Sequence, residues 1–266
     1  MSLLSFMRSV KETAQDVRAR QARDLYLELM KACLTNVVYG DPSVTRGTRH
    51  DYDPRLRAEG RDWPASAHTM VGLKRLDNVQ FCVEDVLASG VRGDLMETGV
   101  WRGGTVILMR AVLKAHAVSD RCVWAADSFA GLPPGDAAKY PLDAGHPLDR
   151  FKELACSLEA VQDHFRAYGL LDEQVRFLKG WFRDTLPGAP VRRLAVLRLD
   201  GDLYESTMDA LVHLYPKLEA GGYVIIDDYG DIPACRQAVH DYRNQHGITD
   251  EIQPVDWTGV FWQKLR

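Results

Sequence analysis

The chain lacks the features that mark several classes of protein. No uninterrupted apolar stretch approaches the roughly 18 residues of a membrane-spanning helix, and the N-terminal residues contain no signal-peptide core. The five cysteines are far apart, odd in number and free of any C-x-x-C pair, so we expect neither a disulfide framework nor a zinc knuckle. The formal net charge of -4 disfavours a nucleic-acid-binding surface. We therefore expect a cytoplasmic protein that binds neither membranes nor nucleic acids.

What the chain does contain is an ordinary globular composition in which apolar runs alternate with helical segments. At 266 residues it can form either one large α/β domain or one domain with an appendage. Helical patterns cover residues 10–38 and 71–87, and between them residues 40–64, which are polar and rich in Gly and Pro, predict a long loop. We interpret residues 1–90 as an N-terminal helical cap and lid, and residues 91–266 as the core.

The core elements alternate regularly along the chain. Apolar runs predict strands at residues 94–98, 121–126, 175–178, 194–199 and 222–227, followed by a closing pair at 251–255 and 259–264. Helical periodicity predicts helices at residues 105–117, 154–168, 207–218 and 233–246. Strands that alternate with helices pair in parallel, because each crossover returns the chain to the same end of the sheet. A second long loop is expected at residues 131–149.

Four aspartates stand in two pairs at the ends of two successive apolar runs. Asp200 and Asp202 follow the first run, and Asp227 and Asp228 end the second. The carboxyl ends of parallel strands meet at one edge of the sheet, where open α/β sheets bind ligands. Crowded carboxylates repel one another, so a divalent cation that prefers oxygen ligands, Mg²⁺ first, is their simplest partner. The alternative is that Asp202 or Asp228 only caps the helix or turn that follows.

A glycine-rich turn follows the first core strand. Its sequence is Glu97-Thr98-Gly99-Val100-Trp101-Arg102-Gly103-Gly104. Glycines let backbone N–H groups approach a ligand, but the turn lacks the G-x-G-x-x-G pattern of dinucleotide-binding proteins. The acid at Glu97 suits a cationic ammonium group, such as the methionine part of S-adenosylmethionine, and Asp127 stands where such sheets hold ribose hydroxyls. The alternative is a tight connection that needs glycine only for packing.

These segments resemble the macrocin O-methyltransferase family. The resemblance rests on residues 97–104, 126–133, 199–207 and 226–229, and before the core on residues 34–39 and 67–72. Enzymes of that family use S-adenosylmethionine and a metal ion to methylate sugar hydroxyls of antibiotics, including macrolides and the aminocoumarin novobiocin, and the novobiocin-pathway members are the nearest in appearance. The resemblance implies the class I methyltransferase fold. This is a Rossmann-like, mostly parallel α/β sheet with an antiparallel C-terminal strand, helices on both faces and an N-terminal helical cap and lid.

The resemblance also implies roles for single residues. Asp200, Asp227 and Asp228 would bind Mg²⁺, and Asp202 would be the general base beside the acceptor hydroxyl. Contacts to the methionine end, the ribose or the adenine of the cofactor are implied for Thr69, Met70, Glu97, Thr98, Gly99, Val100, Trp101, Asp127, Ser128, Ser157, Gly180, Trp181 and Phe182. S-adenosyl-L-homocysteine would be the product and a small-molecule glycoside the acceptor, with a homodimer as one assembly to expect. His68 is a rival base, since histidine titrates near neutrality.

Alternatives to this function stay open at the level of the sequence. A catechol-type O-methyltransferase would use the same cofactor and metal on a planar diol, and a non-catalytic module would only bind the adenosyl group. A nicotinamide oxidoreductase is disfavoured, because an acid at position 97 would repel a pyrophosphate.

Acceptor recognition is expected in residues 40–64, which match the family least. We expect this segment to be a mobile lid that closes over the acceptor. Its candidate acceptor contacts are Arg46, Arg49, Tyr52 and Arg55.

Overall fold

The architecture consists of strands that alternate with helices. The computed structural model describes residues 14–134, 138–145 and 147–266. Its strands are β1 (Ser43–Thr45), β2 (Thr48–His50), β3 (Asp94–Thr98), β4 (Val123–Asp127), β5 (Val175–Lys179), β6 (Leu194–Leu199), β7 (Leu218–Ile226), β8 (Gln253–Pro254) and β9 (Val260–Gln263). Its α-helices are α1 (Ala14–Leu34), α2 (Pro54–Glu59), α3 (Gly72–Ala88), α4 (Gly104–Ala115), α5 (Leu158–Ala167), α6 (Phe182–Thr185), α7 (Tyr204–Leu214) and α8 (Pro233–His246).

The central sheet has the strand order β5-β4-β3-β6-β7-β9-β8, and β1 and β2 form a separate antiparallel hairpin. The strands from β5 to β7 are parallel, whereas β9 runs antiparallel to β7 and β8 antiparallel to β9. This confirms the predicted, mostly parallel α/β sheet with an antiparallel C-terminal strand. The strand order reverses between β3 and β6, and ligands of such sheets bind outside the carboxyl ends of the strands at that point.

Both faces of the sheet are covered, and successive strand residues alternate between two apolar clusters. Leu95 and Val196 lie in one cluster with residues of α1, α3, α4 and α5, while Met96 and Leu197 lie in the other with residues of α7 and α8. Strands buried on both faces consist mostly of apolar residues, so they form nearly continuous apolar runs in the sequence. Because α3 packs in the same cluster as β3, residues before position 90 contribute to the core. The division of the chain at that position stays a proposal.

Most predicted elements are present, with differences at their ends. The bounds of β3, β6 and α8 agree with the prediction. The part of the predicted first helix that precedes Ala14 lies outside the described residues, as do four residues of the loop predicted at 131–149. No helix among the described ranges is both long and apolar enough to cross a membrane. The cytoplasmic location and the homodimer stay predictions.

The segment predicted as a long loop, residues 40–64, is ordered around a buried arginine. It contains the β1–β2 hairpin and α2, so the prediction of an irregular loop is wrong. The side chain of Arg57 is 1% exposed and binds the carboxylates of Asp41 at 2.6 Å and Asp62 at 3.0 Å, and the carbonyl of Thr35 at 3.0 Å. A buried charge must keep its partners, because loss of one partner leaves the other uncompensated. This cluster therefore fixes a segment that has little apolar content.

Replacement of Arg57 by Ala should destabilise the protein by about 3–5 kcal/mol, because two largely buried carboxylates lose their cation. Urea unfolding followed by circular dichroism measures the change. Arg55→Ala is the matched control, since it removes an exposed guanidinium from the same helix and should cost less than about 0.5 kcal/mol. Equal losses in the two variants would show that the buried cluster does not hold the segment.

Candidate active site

A cavity of about 580 Å³ opens at the carboxyl ends of β3, β4, β6 and β7. Its wall includes most of the residues predicted to contact cofactor or metal, namely Thr69, Met70, Glu97, Gly99, Val100, Trp101, Asp127, Ser128, Trp181, Phe182, Asp200, Asp202, Asp227 and Asp228. The size is within the range of small-molecule sites, and the position is the one at which α/β sheets bind ligands.

Three predicted cofactor residues, Thr98, Ser157 and Gly180, do not line this cavity. Thr98 is fully buried within β3. Ser157 caps α5, where its hydroxyl accepts the N–H of Ala160 at 3.2 Å. The N–H of Gly180 donates to the carbonyl of Asp127 at 2.9 Å and so ties the end of β5 to that of β4. These residues shape the elements around the cavity, and their contact with a cofactor stays a prediction.

Arg198 is the positive charge at the centre of the site. It lies on β6 directly opposite Glu97 of β3, and its partner in β7 is Ile225, two residues before Asp227. Its fully buried guanidinium binds Glu97 and Asp227, and the carboxylate of Asp200 at 2.8 Å. Burial opposes the charge, but attraction to the three carboxylates raises the pKa of Arg198 well above its ordinary value. The arginine therefore stays charged.

Asp200, Asp227 and Asp228 lie close enough together to hold one ion, since one carboxylate oxygen from each lies within 4.8 Å of the others. Burial and the neighbouring carboxylates raise the pKa of Asp200 to about 6 and that of Asp228 well above its ordinary value. A divalent cation would reverse this shift, and Mg²⁺ prefers such an all-oxygen set of ligands. The prediction that these aspartates gather at one edge of the sheet is confirmed. Metal binding by them stays a prediction.

Asp202 occupies the turn between β6 and α7 with a left-handed backbone, at a φ of 58°. Its N–H donates to Asp228 at 3.0 Å. Burial, followed by repulsion from Asp200 and other carboxylates, raises the pKa of Asp202 to about 8. The first N–H groups of α7 bind Asp143, so the alternative that Asp202 only caps this helix is wrong.

Gly99 is required where two backbones approach each other. Its φ is 86°, and a Cβ atom there would lie 1.7 Å from the carbonyl oxygen of Asp200. Any side chain would therefore push the ends of β3 and β6 apart. Packing accounts for this glycine, and its contact with a cofactor stays a prediction.

The carboxylate of Asp127 fixes the glycine-rich turn. One oxygen accepts the N–H groups of Val100 at 2.7 Å and Trp101 at 3.3 Å, and the other accepts the N–H of Phe129 at 2.7 Å. Burial raises the pKa of Asp127, although these backbone bonds oppose the rise. Carboxylate oxygens have further acceptor capacity, so the ribose contact stays a prediction beside this structural role.

Glu97 has a carboxylate oxygen for which the described part of the chain supplies no partner. Its Oε1 accepts from Arg198, while its buried Oε2 has no hydrogen bond. Burial raises the pKa of Glu97 to about 8, with Arg198 opposing the rise. A buried polar atom at the wall of a cavity needs a donor. The ammonium group of the predicted cofactor would supply both the hydrogen bond and the charge.

The ring of His68 packs against other side chains of the protein. Its ring stacks on that of His164 with centroids 4.1 Å apart, and its Nδ1 lies 3.0 Å from the hydroxyl of Tyr168. Burial, helped by neighbouring His164 and Arg102, lowers the pKa of His68 to about 4. His68 does not line the main cavity, which disfavours it as the base.

Of the four candidate acceptor contacts in residues 40–64, Arg46 lines the cavity from the tip of the β1–β2 hairpin. Arg49 on β2 and Arg55 on α2 are exposed and lie outside the cavity wall. The guanidinium of Arg57 lies 5.3 Å from the ring of Tyr52, which is also outside the wall. Arg49 and Arg55 face solvent and Tyr52 packs beside Arg57, so the contact of these three residues with an acceptor stays a prediction.

Other residues complete the cavity without having been singled out from the sequence. They include Arg61, Trp63, Arg75, Arg183, Glu205, Asp209, Asp231 and Trp257. Arg75 of α3 binds Asp227, the carboxylate of Asp256 at 3.0 Å and the carbonyl of Gly60 at 3.1 Å. Arg75 stands on the apolar face of a helix and Arg198 stands in an apolar strand. Such positions in the sequence indicate a buried charge that needs a partner.

Known proteins match nearly the whole chain. Residues 43–264 match the family described as macrocin-O-methyltransferase (TylF). The chain is 61% identical over 246 residues to the 8-demethyl-8-(2,3-dimethoxy-alpha-L-rhamnosyl)-tetracenomycin-C 4'-O-methyltransferase of Streptomyces olivaceus, covering 91% of this chain and 93% of that protein. It is 53% identical over 264 residues to the demethyldecarbamoylnovobiocin O-methyltransferase of Streptomyces niveus, covering 98% of this chain and 100% of that protein. The solved structure of the O-methyltransferase NovP matches with a TM-score of 0.89 at 56% identity, covering 92% of this chain and 100% of that one.

Arg198→Met should destabilise the metal-free protein by about 3–5 kcal/mol, because it leaves Glu97, Asp200 and Asp227 without their common cation. Arg193→Met, which removes a largely exposed guanidinium just before β6, should cost less than about 1 kcal/mol. Added Mg²⁺ should raise the melting temperature of Arg198→Met more than that of the parent, since both cations compensate the same carboxylates. Equal melting temperatures of the two variants and the parent would contradict this role of Arg198.

Proposed function

The chain belongs to the macrocin O-methyltransferase family, and from this premise we propose that it transfers the methyl group of S-adenosylmethionine to a sugar hydroxyl, with Mg²⁺ as the metal. The observation that carries the proposal is the cavity that places Asp202 beside three aspartates able to bind one ion. The two curated relatives are named for acceptors in the tetracenomycin and novobiocin series, and the first name specifies a rhamnosyl group. We propose a glycosylated antibiotic or its precursor as the acceptor.

S-adenosylmethionine supplies a methyl group bound to a positively charged sulfur. Glu97 would bind its ammonium group through the unpartnered Oε2, and the glycine-rich turn would lie along the methionine end. Asp127 and Ser128 at the end of β4 are the candidates for the ribose hydroxyls, and Trp181 and Phe182 for the adenine ring. These contacts would leave S-adenosyl-L-homocysteine as the product in the same cavity.

Asp200, Asp227 and Asp228 would hold Mg²⁺. When bound, the ion lowers the pKa of a coordinating hydroxyl and fixes its direction. Arg198 and Arg75 bind different oxygens of Asp227, and Arg198 also binds Asp200. These contacts would hold Asp200 and Asp227 in place before an ion arrives, which supports a preorganised site.

Asp202 would accept the proton of the acceptor hydroxyl. Burial raises the pKa of its carboxyl group, and a higher pKa makes a carboxylate a stronger base. Its backbone N–H donates to the metal-ligand candidate Asp228 at 3.0 Å. The base and the ion would therefore keep a fixed separation, which aligns the hydroxyl for in-line displacement.

The acceptor would enter beside residues contributed by the hairpin, the segment after α2 and the loop before β9. The ring of Trp257 lies 4.3 Å from the guanidinium of Arg61, and its indole N–H donates to the carbonyl of Glu59 at 2.9 Å. Arg46 also lines this part of the wall. An aromatic ring held in place beside charged donors suits a sugar, which has an apolar face and a rim of hydroxyls.

Mass spectrometry of incubations with S-adenosylmethionine and Mg²⁺ tests the function. A panel of glycosylated antibiotics and precursors should include one that gains a CH₂ group, with an equal amount of S-adenosyl-L-homocysteine. Simple catechols form the parallel panel, and excess chelator should abolish transfer. Methylation of catechols alone would refute the sugar assignment, and full activity with no bound metal would remove Mg²⁺ from the proposal. Absence of cofactor binding by calorimetry would refute the function as a whole.

Asp202→Asn should lower kcat by about 10² to 10⁴, the usual contribution of a positioned base, while it retains metal and cofactor binding. Asp227→Asn should mainly weaken Mn²⁺ binding measured by calorimetry, because it alters a proposed ligand. His68→Gln is the control, since it removes the rival candidate base and should leave turnover nearly unchanged. Parental turnover of Asp202→Asn at saturating metal would contradict the role of Asp202.

A further inference from the structure

The N-terminus of α7 is capped by a residue from a distant part of the chain. Its own N-cap residue, Leu203, makes no side-chain hydrogen bond. The carboxylate of Asp143, 61 positions before Tyr204, accepts the N–H of Tyr204 at 2.6 Å and that of Glu205 at 3.2 Å. Helices usually take such a cap from a local Ser, Thr, Asn or Asp. Here the first turn of α7 depends on a tertiary contact.

The side chain of Asp143 is buried. It is 2% exposed and belongs to the 3₁₀ turn Pro141–Gly145. Next to that turn, the ring of Tyr140 lies 5.8 Å from that of Tyr204, whose hydroxyl donates to Asp241 of α8 at 2.9 Å. A carboxylate at this place also complements the positive end of the helix dipole. Several contacts thus dock the turn on α7.

Asp202 lies between two fixed points. On one side its N–H is bound to Asp228 at 3.0 Å, and on the other α7 begins two residues later under the cap from Asp143. The left-handed backbone of Asp202, at a φ of 58°, persists only where the surroundings impose it. Loss of the cap would free the first turn of α7 and with it the connection that carries Asp202.

The capped helix also forms part of the cavity wall. Glu205, Ser206 and Asp209 of α7 line the cavity, and so does Leu148, five positions after Asp143. Asp143 itself is absent from the wall. Its influence on a ligand would therefore act through α7 and the Asp202 turn.

We propose that Asp143 is a positioning residue for methyl transfer, which holds Asp202 in place for proton removal by capping α7. The assignment rests on the proposed function for the role of Asp202 as base. Removal of Asp143 should reduce turnover, because Asp202 would lose its fixed position. The affinities for cofactor and acceptor should stay nearly unchanged, because Asp143 does not line the cavity.

Asp143→Ala should lower kcat about tenfold or more, since displacement of a catalytic group by about 1 Å can cost on the order of 10²-fold. The KM values for S-adenosylmethionine and for the acceptor should change less than about threefold, because binding contacts are retained. Asp143→Asn keeps one acceptor oxygen and should recover most of the turnover. Asp149→Ala is the matched control, since it removes an exposed carboxylate from the same segment.

Amide hydrogen exchange gives a second readout that needs no acceptor. The amides of Tyr204 and Glu205 should exchange faster in Asp143→Ala than in the parent or in Asp149→Ala. Unchanged exchange at both amides would show that the cap does not form in solution. Where Asp143→Ala fails to fold, Asp143→Asn gives the comparison in weaker form, because its neutral amide oxygen accepts less strongly than a carboxylate. Both amides should then exchange faster than in the parent, and exchange equal to that of the parent would contradict the cap.

The kinetic outcomes separate the two proposals. Unchanged kcat in Asp143→Ala, or a rise in KM alone, would overturn the positioning role. A fall in kcat that Asp143→Asn does not recover, together with a matching loss of stability, would show a merely structural role and also overturn it. A parent protein that methylates no acceptor would contradict the proposed function instead.

Discussion

A single buried guanidinium determines how the active edge of the sheet is built. Arg198 binds Glu97 on β3, Asp200 after β6 and Asp227 after β7, so three strand ends are tied to one cation. Ionised carboxylates can be buried together only when opposite charge compensates them, because each unpaired charge costs several kcal/mol. The site therefore depends on strand register. A shift of β6 by one residue would turn Arg198 to the opposite face of the sheet.

The same principle extends from the sheet to the N-terminal part of the chain. Arg75 connects Asp227 with the carbonyl of Gly60 at the end of α2, and Arg57 holds the preceding segment through Asp41 and Asp62. One wall of the cavity thus rests on a network of buried ion pairs. Such a network needs no apolar core of its own, which explains how a polar segment forms a hairpin and a helix. It also places the cavity wall and the candidate metal ligands in one connected structure.

Local backbone constraints add to this network at the points where chemistry is proposed. Gly99 allows the end of β3 to touch the backbone of Asp200, and Asp127 holds the turn that follows. The left-handed Asp202 is fixed by Asp228 and by the cap that Asp143 supplies to α7. In each case the residue that reaches the cavity is held by a partner from another element. The geometry of the site is therefore a property of the assembled sheet and not of any single motif.

The sequence by itself determined the class of sheet, the bounds of β3, β6 and α8, and the meeting of the aspartate pairs at one edge. These features follow from apolar runs and from positions at strand ends, which are local properties of the chain. Only the tertiary structure decided that Arg46 reaches the cavity while Arg55 does not, and that the ring of His68 stacks on His164. It alone revealed Arg198 and Asp143 as organising residues. Their roles depend on partners far away in the chain, and a one-dimensional pattern does not contain those pairings.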